Sequence, residues 1–451
     1  MFAAPLAYHR SPMSAHASLL QHASPLAAEL LLQWPRGQPL AALVSGGVER
    51  AHNAWSIFAR PREAVVIDGA LPAKEAIARL EAALARTPRQ ADPSPTTSDS
   101  SPRVPPFDGG WIVALGYGLG SCFEESSFAR KPGNPAPHAV LLWCEDAWCV
   151  DHSDGSLHAV GSPPELDESA RERLWRLARL DPDTSDSHYA AGVARVVEYI
   201  RAGDAFQANV ARRFSGEFTG ETRSFAHAAI ARNRSWFGAS IDLPSGERLV
   251  SMSPELFLRA RPDGSVVTRP IKGTRPAHVD ARELEESAKD AAELAMIVDL
   301  MRNDLGRVAE LGSVRVSEPR VLETHETVHH GVAEISAQLR DDVSWLDLLR
   351  ATFPPGSVTG APKIRAMQII DELEPHARGF YCGAIGFFSR SGHAALSVAI
   401  RTAQLGVATI EGGTRPVHYH AGCGIVADSD PASEVAETHA KAAAIARFVG
   451  G

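Results

Sequence analysis

The feature that most constrains how this chain folds is a repeated change of periodicity between residues 188 and 451. Segments such as RLVSMSPELFLRA, GFYCGAIGFFSR and AALSVAIRTAQL are dense in β-branched, aromatic and small residues and suit a pleated sheet. Other segments space their apolar residues by three and four, as a helix burying one face must. Asp186 or Ser187 is placed to cap one such helix, whose apolar positions Val193, Val196, Val197 and Ile200 recur at helical spacing before a stop near Gly203. Glycines punctuate the junctions. The pattern predicts strands and helices mixed in an α/β (α+β) arrangement, without specifying their order in space.

Upstream, TPRQADPSPTTSDSSPRVPP runs from Thr87 to Pro106 with almost no aliphatic side chain to bury, and is read as a solvated or disordered insert near 87–106. Bulk properties narrow the function classes. The formal charge of -9 comes with no basic stretch able to neutralise a phosphate backbone, which argues against a nucleic-acid partner. The five cysteines, Cys122, Cys144, Cys149, Cys382 and Cys423, are odd in number and lack metal-ligand spacing, as expected of reduced thiols. No apolar run approaches the roughly twenty residues of a membrane span. The N-terminal MFAAPLAYHRSPMSAHASLL lacks a basic segment followed by an unbroken apolar core, so a cytoplasmic location is expected.

Two predicted helices each carry acids on one stripe. Asp290 and Glu293 stand at i and i+3 in SAKDAAELAMIVDLMRND; Glu434 and Glu437 repeat the spacing in PASEVAETHAKAAA, with Lys441 one turn on. Facing carboxylates suit Mg²⁺, a hard cation that keeps open positions for water and substrate. The same spacing also suits two solvated helix faces. Lys272, in TRPIKGTRP, is a candidate nucleophile or an ordinary exposed charge; as a nucleophile it needs a site that lowers its basicity. Glu255, in SMSPELFLR, is equally a general acid or a salt-bridge partner. FPPGSVTGAPKIRAMQIIDELE reads as a glycine turn feeding an amphipathic helix through Ile364, Met367, Ile370 and Leu373, able to offer N–H groups to an anion, though without the lysine and hydroxyl of a Walker loop. HAGCGIVADSD holds a second glycine turn in which Gly422 and Gly424 permit close backbone approach. Arg401 projects from a buried-looking strand, where it needs an anion or an internal carboxylate.

Taken in chain order, SPELF, PIKGT, SAKDAAELAMIVDLMRNDLGRV, FPPGSVTGAPK, RGFYCGAIGF, AIRT and GCGIVADSDPASEVAETHAK resemble the motifs of the chorismate-binding enzymes, the family of anthranilate, aminodeoxychorismate, isochorismate and salicylate synthases. The resemblance covers about residues 188 to 449; upstream it is carried chiefly by GGWIVALGYGLGSCFE. It implies a two-sheet β-sandwich core with helices packed outside and the active site in the central cleft, residues 1–180 forming the N-terminal part and 181–451 the catalytic region. Glu293 and Glu437 then fall on direct Mg²⁺ ligands, with Asp290 and Glu434 holding metal-bound waters. Tyr381, Arg401, Gly422 and Lys441 fall on positions that grip a substrate carboxylate, and Gly424 lies beside them. Thr274, Ser357 and His330 line the pocket; adjoining His329 offers an alternative register for the last. Cys423 sits between the two glycines, where it is expected to crowd or tune the pocket.

Two positions bear on subtype. Members that add water use a lysine base where this chain has Gln207, and a neutral amide cannot deprotonate water, so the resemblance points to the ammonia-using members. Lys272 in PIKGT, where anthranilate-forming members carry alanine, implies amination of chorismate to 4-amino-4-deoxychorismate, with Lys272 as covalent nucleophile and Glu255 as general acid. The chain lacks a GxCxG nucleophile elbow, so a separate glutamine amidotransferase subunit is expected to supply ammonia. It ends soon after the Glu437 segment, so release of the aminated product without a fused lyase is expected. An anthranilate-forming enzyme and a non-catalytic chorismate-binding regulator are the alternatives.

Overall fold

A computed structural model describes residues 25–46, 54–89, 104–124, 136–324, 328–408 and 413–450. Its strands form one continuous hydrogen-bonded network in which every ladder is antiparallel. One half runs from the edge strand Trp175–Pro182 through Gln207–Gly220, Arg415–Ile425, Thr402–Leu405, Arg248–Ser253 and Phe237–Asp242 to Ala41–Val44. Ala41–Val44 also pairs with Trp55–Ile67, opening the second half. That half continues through Ala139–Asp151, Gly110–Leu115, Ala384–Ser389, Ala394–Val398, Leu256–Ala260 and Ser265–Arg269 to Val328–Gln338, which is flanked by Arg315–Thr324 and Ile271–Pro276.

The two halves stack. Ala239, Ile241 and Leu249 of the first share a buried cluster with Ile112, Ala114, Ile385 and Phe387 of the second, although no ladder joins these strands. The expected two layers thus arise by folding one sheet back on itself at Ala41–Val44. Helices cover the outer faces. Ala288–Gly306 and Trp345–Thr352 pack on the second layer through Leu294, Ile297, Met301 and Leu349. Thr222–Asn233 and Pro431–Ala446 pack on the first through Phe225, Ile230, Ala442 and Ile445. The segment GGWIVALG contributes Gly110–Leu115, which lies between an N-terminal strand and Ala384–Ser389, so N- and C-terminal parts share ladders.

Several local expectations shift. The cap of the Asp186–Arg201 helix is Ser185, one residue before the predicted pair, because its hydroxyl accepts from the His188 N–H. In the Lys363–Leu373 helix Ile364 is exposed, and Ala366 and Ile369 are buried beside Met367 and Ile370. Residues 90–103 of the Pro/Ser-rich segment lie outside the described residues; just before them, Thr87 and Arg89 are buried. The Thr87 carbonyl accepts from Trp345 Nε1 at 2.7 Å, and Arg89 Nε donates to the Val343 carbonyl at 2.8 Å.

The structure divides two of the strand-rich segments. RLVSMSPELFLRA is Arg248–Ser253 followed by Leu256–Ala260, and AALSVAIRTAQL is Ala394–Val398 followed by Thr402–Leu405. The two runs cross from one layer to the other side by side: Arg248–Ser253 pairs with Thr402–Leu405, and Leu256–Ala260 with Ala394–Val398. Glu255 and Arg401 occupy the two breaks.

Because the inner faces hold the layers together, shortening Ile241, 1% exposed between them, should be costly. Ile241→Ala is expected to lower unfolding free energy by about 2–5 kcal/mol, read as a lower urea midpoint. A shift within error would mean that the layers are not stabilised through this contact.

Candidate active site

The double crossover forces polar groups into the interior. At one break the Glu255 carbonyl accepts from Val398 N–H at 3.0 Å, and Ser253 Oγ donates to the Val398 carbonyl at 2.6 Å. The Glu255 side chain is 3% exposed, and its Oε1 has no hydrogen-bond partner among the described residues. Burial pushes its carboxyl up to about 7, with Ser357 and the Lys272 charge pulling back partway. At the other break Arg401 has φ 51°, the left-handed region that a side-chain-bearing residue adopts at a cost of order 1–3 kcal/mol, and its carbonyl accepts from Met252 N–H at 2.9 Å. Burial lowers its basicity, and no ion pair reaches its guanidinium among the described residues. An internal carboxylate therefore does not account for it.

Lys272 enters from the neighbouring strand Ile271–Pro276. Its Nζ donates to the Ser357 carbonyl at 3.0 Å. Burial holds the amine below the ordinary lysine range, while Glu293 and Glu255 pull it upward. The glycine turn of FPPGSVTGAPK thus presents Lys272 with a carbonyl, where N–H groups for an anion had been expected. That loop is tied at both ends, because Lys363 Nζ donates to the Thr352 carbonyl and to Asp304 Oδ2, each at 2.7 Å.

Gln207 begins the strand Gln207–Gly220. Its side chain is fully buried and neither amide atom has a hydrogen-bond partner among the described residues. A buried amide left this way costs a few kcal/mol, which marks Gln207 as a candidate contact for a ligand. Gly424 explains how the three come together. A Cβ there would lie 2.7 Å from Gln207 Nε2 and 3.3 Å from Lys272 Nζ, so a side chain at this position would displace the amide and crowd the amine.

Gly422 and Gly424 lie inside the strand Arg415–Ile425, opposite Ala211 and Asn209, and do not form a turn. Strand alternation sends Cys423 to the other face, where its thiol donates to the Glu434 carbonyl at 3.6 Å among Tyr189, Val193 and Ile369. It does not crowd the glycines. The same alternation places His420 with Gly422, a residue the sequence reading passed over although its two-residue offset marked it. Its ring stacks on Tyr381 at 5.2 Å.

Asp290 and Glu434 lie in the first turns of their helices, with Glu293 and Glu437 one turn on. Glu434 Oε1 accepts from Ser429 Oγ at 2.7 Å, and Glu437 takes Lys441 Nζ at 2.7 Å. Lys441 Nζ also donates to the Gly422 carbonyl at 2.8 Å, which links the glycine strand to the acid helix. Ligand atoms of Glu434, Glu437 and Cys423 lie within 4.8 Å of one another. From the facing helix, Glu293 is raised by burial and also feels Glu434, while Lys272 opposes both effects. Asp290 is drawn aside, bonded to Arg275 at 2.8 Å. Thr274 Oγ1 and His330 Nδ1 are 2.9 Å apart across paired strands, whereas His329 turns to Thr324 and the Val279 carbonyl; His330 is the residue in register with Thr274.

A family profile described as chorismate binding enzyme matches residues 47–447, well upstream of where the motifs become dense. The aminodeoxychorismate synthase component 1 of Klebsiella aerogenes is 36% identical over 92% of this chain and 95% of its own length. That of Escherichia coli K12 is 40% identical over 78% of each chain, and the anthranilate synthase component 1 of Streptomyces coelicolor is 35% identical over 76% of this chain and 73% of its own. Among solved structures, anthranilate synthase component I from Streptococcus pneumoniae superposes with a TM-score of 0.71 at 27% identity, covering 96% of this chain and 99% of the other. The chain is a member of the chorismate-binding enzyme family.

Proposed function

We propose that this chain aminates chorismate to 4-amino-4-deoxychorismate, as the synthase component of a pair whose second subunit is a glutamine amidotransferase. The observation that carries the reading is Lys272: its amine lies beside the unpaired Gln207 amide, in the field of a Glu255 carboxyl that titrates near neutrality. The aminodeoxychorismate synthase component 1 sequences among its relatives support the subtype, and their designation as a first component supports the partner. The five cysteines, all free and buried, fit a cytoplasmic enzyme.

Mg²⁺ would be held by Glu293 and Glu437 as direct ligands with Asp290 and Glu434 behind them; Glu434 and Glu437 lie together on one helix, and Glu293 feels the Glu434 charge from the other. When bound, the ion supplies positive charge that orients and neutralises the substrate's ring carboxylate. In this reading Arg401, Tyr381, Lys441 and the Gly422 backbone hold the substrate's carboxylates, and Thr274, His330 and Ser357 complete its surroundings. Lys272 attacks ring C2 as its neutral amine; the two ring double bonds shift, the C4–O bond breaks, and Glu255 gives its proton to the departing hydroxyl, which leaves as water. Gln207 orients the incoming ammonia. Ammonia bonds to C4, the double bonds shift back, and Lys272 leaves from C2; Glu255 regains a proton from the ammonium product.

Purified protein with chorismate, Mg²⁺ and an ammonium salt is expected to accumulate aminodeoxychorismate without pyruvate. Anthranilate fluorescence with matching pyruvate would transfer the chain to the alternative subtype, and chorismate binding without any product would favour a regulator.

Lys272→Ala should lose turnover together with the covalent adduct detected by intact-protein mass spectrometry. Amination at the parent rate would remove the nucleophile from the scheme.

The acid form of Glu255 is the working form. Alongside a limb that rises with pH as the Lys272 amine becomes neutral, kcat at constant free ammonia should carry a limb that falls as pH rises through about 7, where the Glu255 carboxyl is held. Glu255→Gln should remove the falling limb and lower kcat roughly 10²–10⁴-fold. A falling limb that persists in the variant would belong to another group.

A further inference from the structure

Arg378 and Glu374 form a buried ion pair that the proposed chemistry does not use. They are 4% and 5% exposed. Arg378 Nε donates to Glu374 Oε2 at 2.9 Å and Nη2 to Oε1 at 2.6 Å, a two-pronged pairing. The remaining donors go to backbone: Nη1 to the Val358 carbonyl at 3.1 Å, and Nη2 to the Asn209 carbonyl. Glu374 Oε1 also accepts the Ala211 N–H at 2.7 Å. The guanidinium lies 4.6 Å from the Tyr117 ring centroid and 5.7 Å from that of Tyr381, and the Arg378 carbonyl accepts from Tyr381 N–H at 3.0 Å.

Each contact ends next to a group the site depends on. Val358 follows Ser357, whose carbonyl holds the Lys272 amine. Asn209 lies two residues beyond Gln207, on the same strand face. Tyr381 is the aromatic wall that stacks on His420. Desolvating two charges is expensive, and apolar residues of similar volume are often as stable or more so. A pair that donates to two separate chain segments and accepts from Tyr381 on a third is therefore suited to fixing their mutual geometry.

We infer that Arg378 and Glu374 are positioning residues, a buried hub that sets the relative placement of the Ser357 loop, the Gln207 strand and Tyr381. The inference rests on the amination proposed above for its catalytic consequence, but its structural consequence is separate. Neither residue touches the reacting atoms. Loss of the hub leaves the site's chemical groups present and misplaced, which lowers turnover more than substrate binding.

The test compares the native chain with an apolar double variant, Arg378→Met with Glu374→Leu, and with Arg378→Lys, which keeps charge but loses the planar fork. Urea unfolding, kcat and KM for chorismate, and amide exchange by mass spectrometry are measured on each. The double variant is expected to stay folded with a lower urea midpoint, because the Val358 and Asn209 carbonyls and the Ala211 N–H lose their partners, to keep a chorismate KM within a few-fold, lose about 10²-fold in kcat, and exchange faster in residues 353–362 and 207–211 alone. Wild-type kcat in the folded double variant, or a kcat loss matching its unfolded fraction, overturns the hub. Should the double variant not fold, Arg378→Lys decides: native stability with reduced kcat and faster exchange in those two segments supports the hub, and native kcat overturns it. Should the native chain fail to aminate chorismate, the functional proposal falls, and exchange in the two segments alone decides whether the pair positions them.

Discussion

The structure depends on one constraint: two chain runs cross together between the layers of a folded-back sheet. Ladders must stop where strands change layer, and the residues at the stops lose regular pairing while remaining inside the protein. Glu255 and Arg401 occupy those stops. Backbone groups there are rescued individually, by Val398 N–H to Glu255 and Met252 N–H to Arg401, so the side chains are held in fixed places. A desolvated carboxyl and a guanidinium with no ion pair among the described residues would be poor choices for stability alone. They are useful where an acidic proton and a fixed positive charge are needed away from bulk water.

Burial then does most of the electrostatic work. It raises Glu255 and lowers Lys272, favouring the protonated carboxyl and the neutral amine that the proposed chemistry requires. Their mutual attraction and the Glu293 charge work against both shifts. The site is a balance of opposed effects, and the space that permits it comes from an absence: a side chain at Gly424 would fill the gap between Gln207 and Lys272.

Much of this was legible in the chain. The helical spacing of Val193, Val196 and Val197 located a helix correctly, and the paired acids were placed on two helices that do carry them, Asp290 and Glu434 in the first turns and Glu293 and Glu437 one turn on. Period two in HAGCGIVADSD held more than was taken from it, since it sets Gly422, Gly424 and His420 on one face and Cys423 on the other. Ile364 misled because an amphipathic pattern cannot say where a helix leaves its support; near its first turn the neighbouring surface ends. The break at Glu255 was marked by Pro254, which cannot donate to a ladder, whereas the break at Arg401 carried no local signal, because residues on both sides have the composition of a continuous strand.

By itself the amino-acid order determined which segments form helices and strands, which side chains share a stripe, and, through its motif resemblance, the family. Those are properties of short stretches, governed by backbone sterics and by the period at which apolar groups recur. Only the tertiary structure decided that the sheet folds back at Ala41–Val44, that Asp290 turns to Arg275, and that Lys272 meets the Ser357 carbonyl across 85 residues of sequence. These depend on long-range packing and desolvation, and neither is set until the layers close.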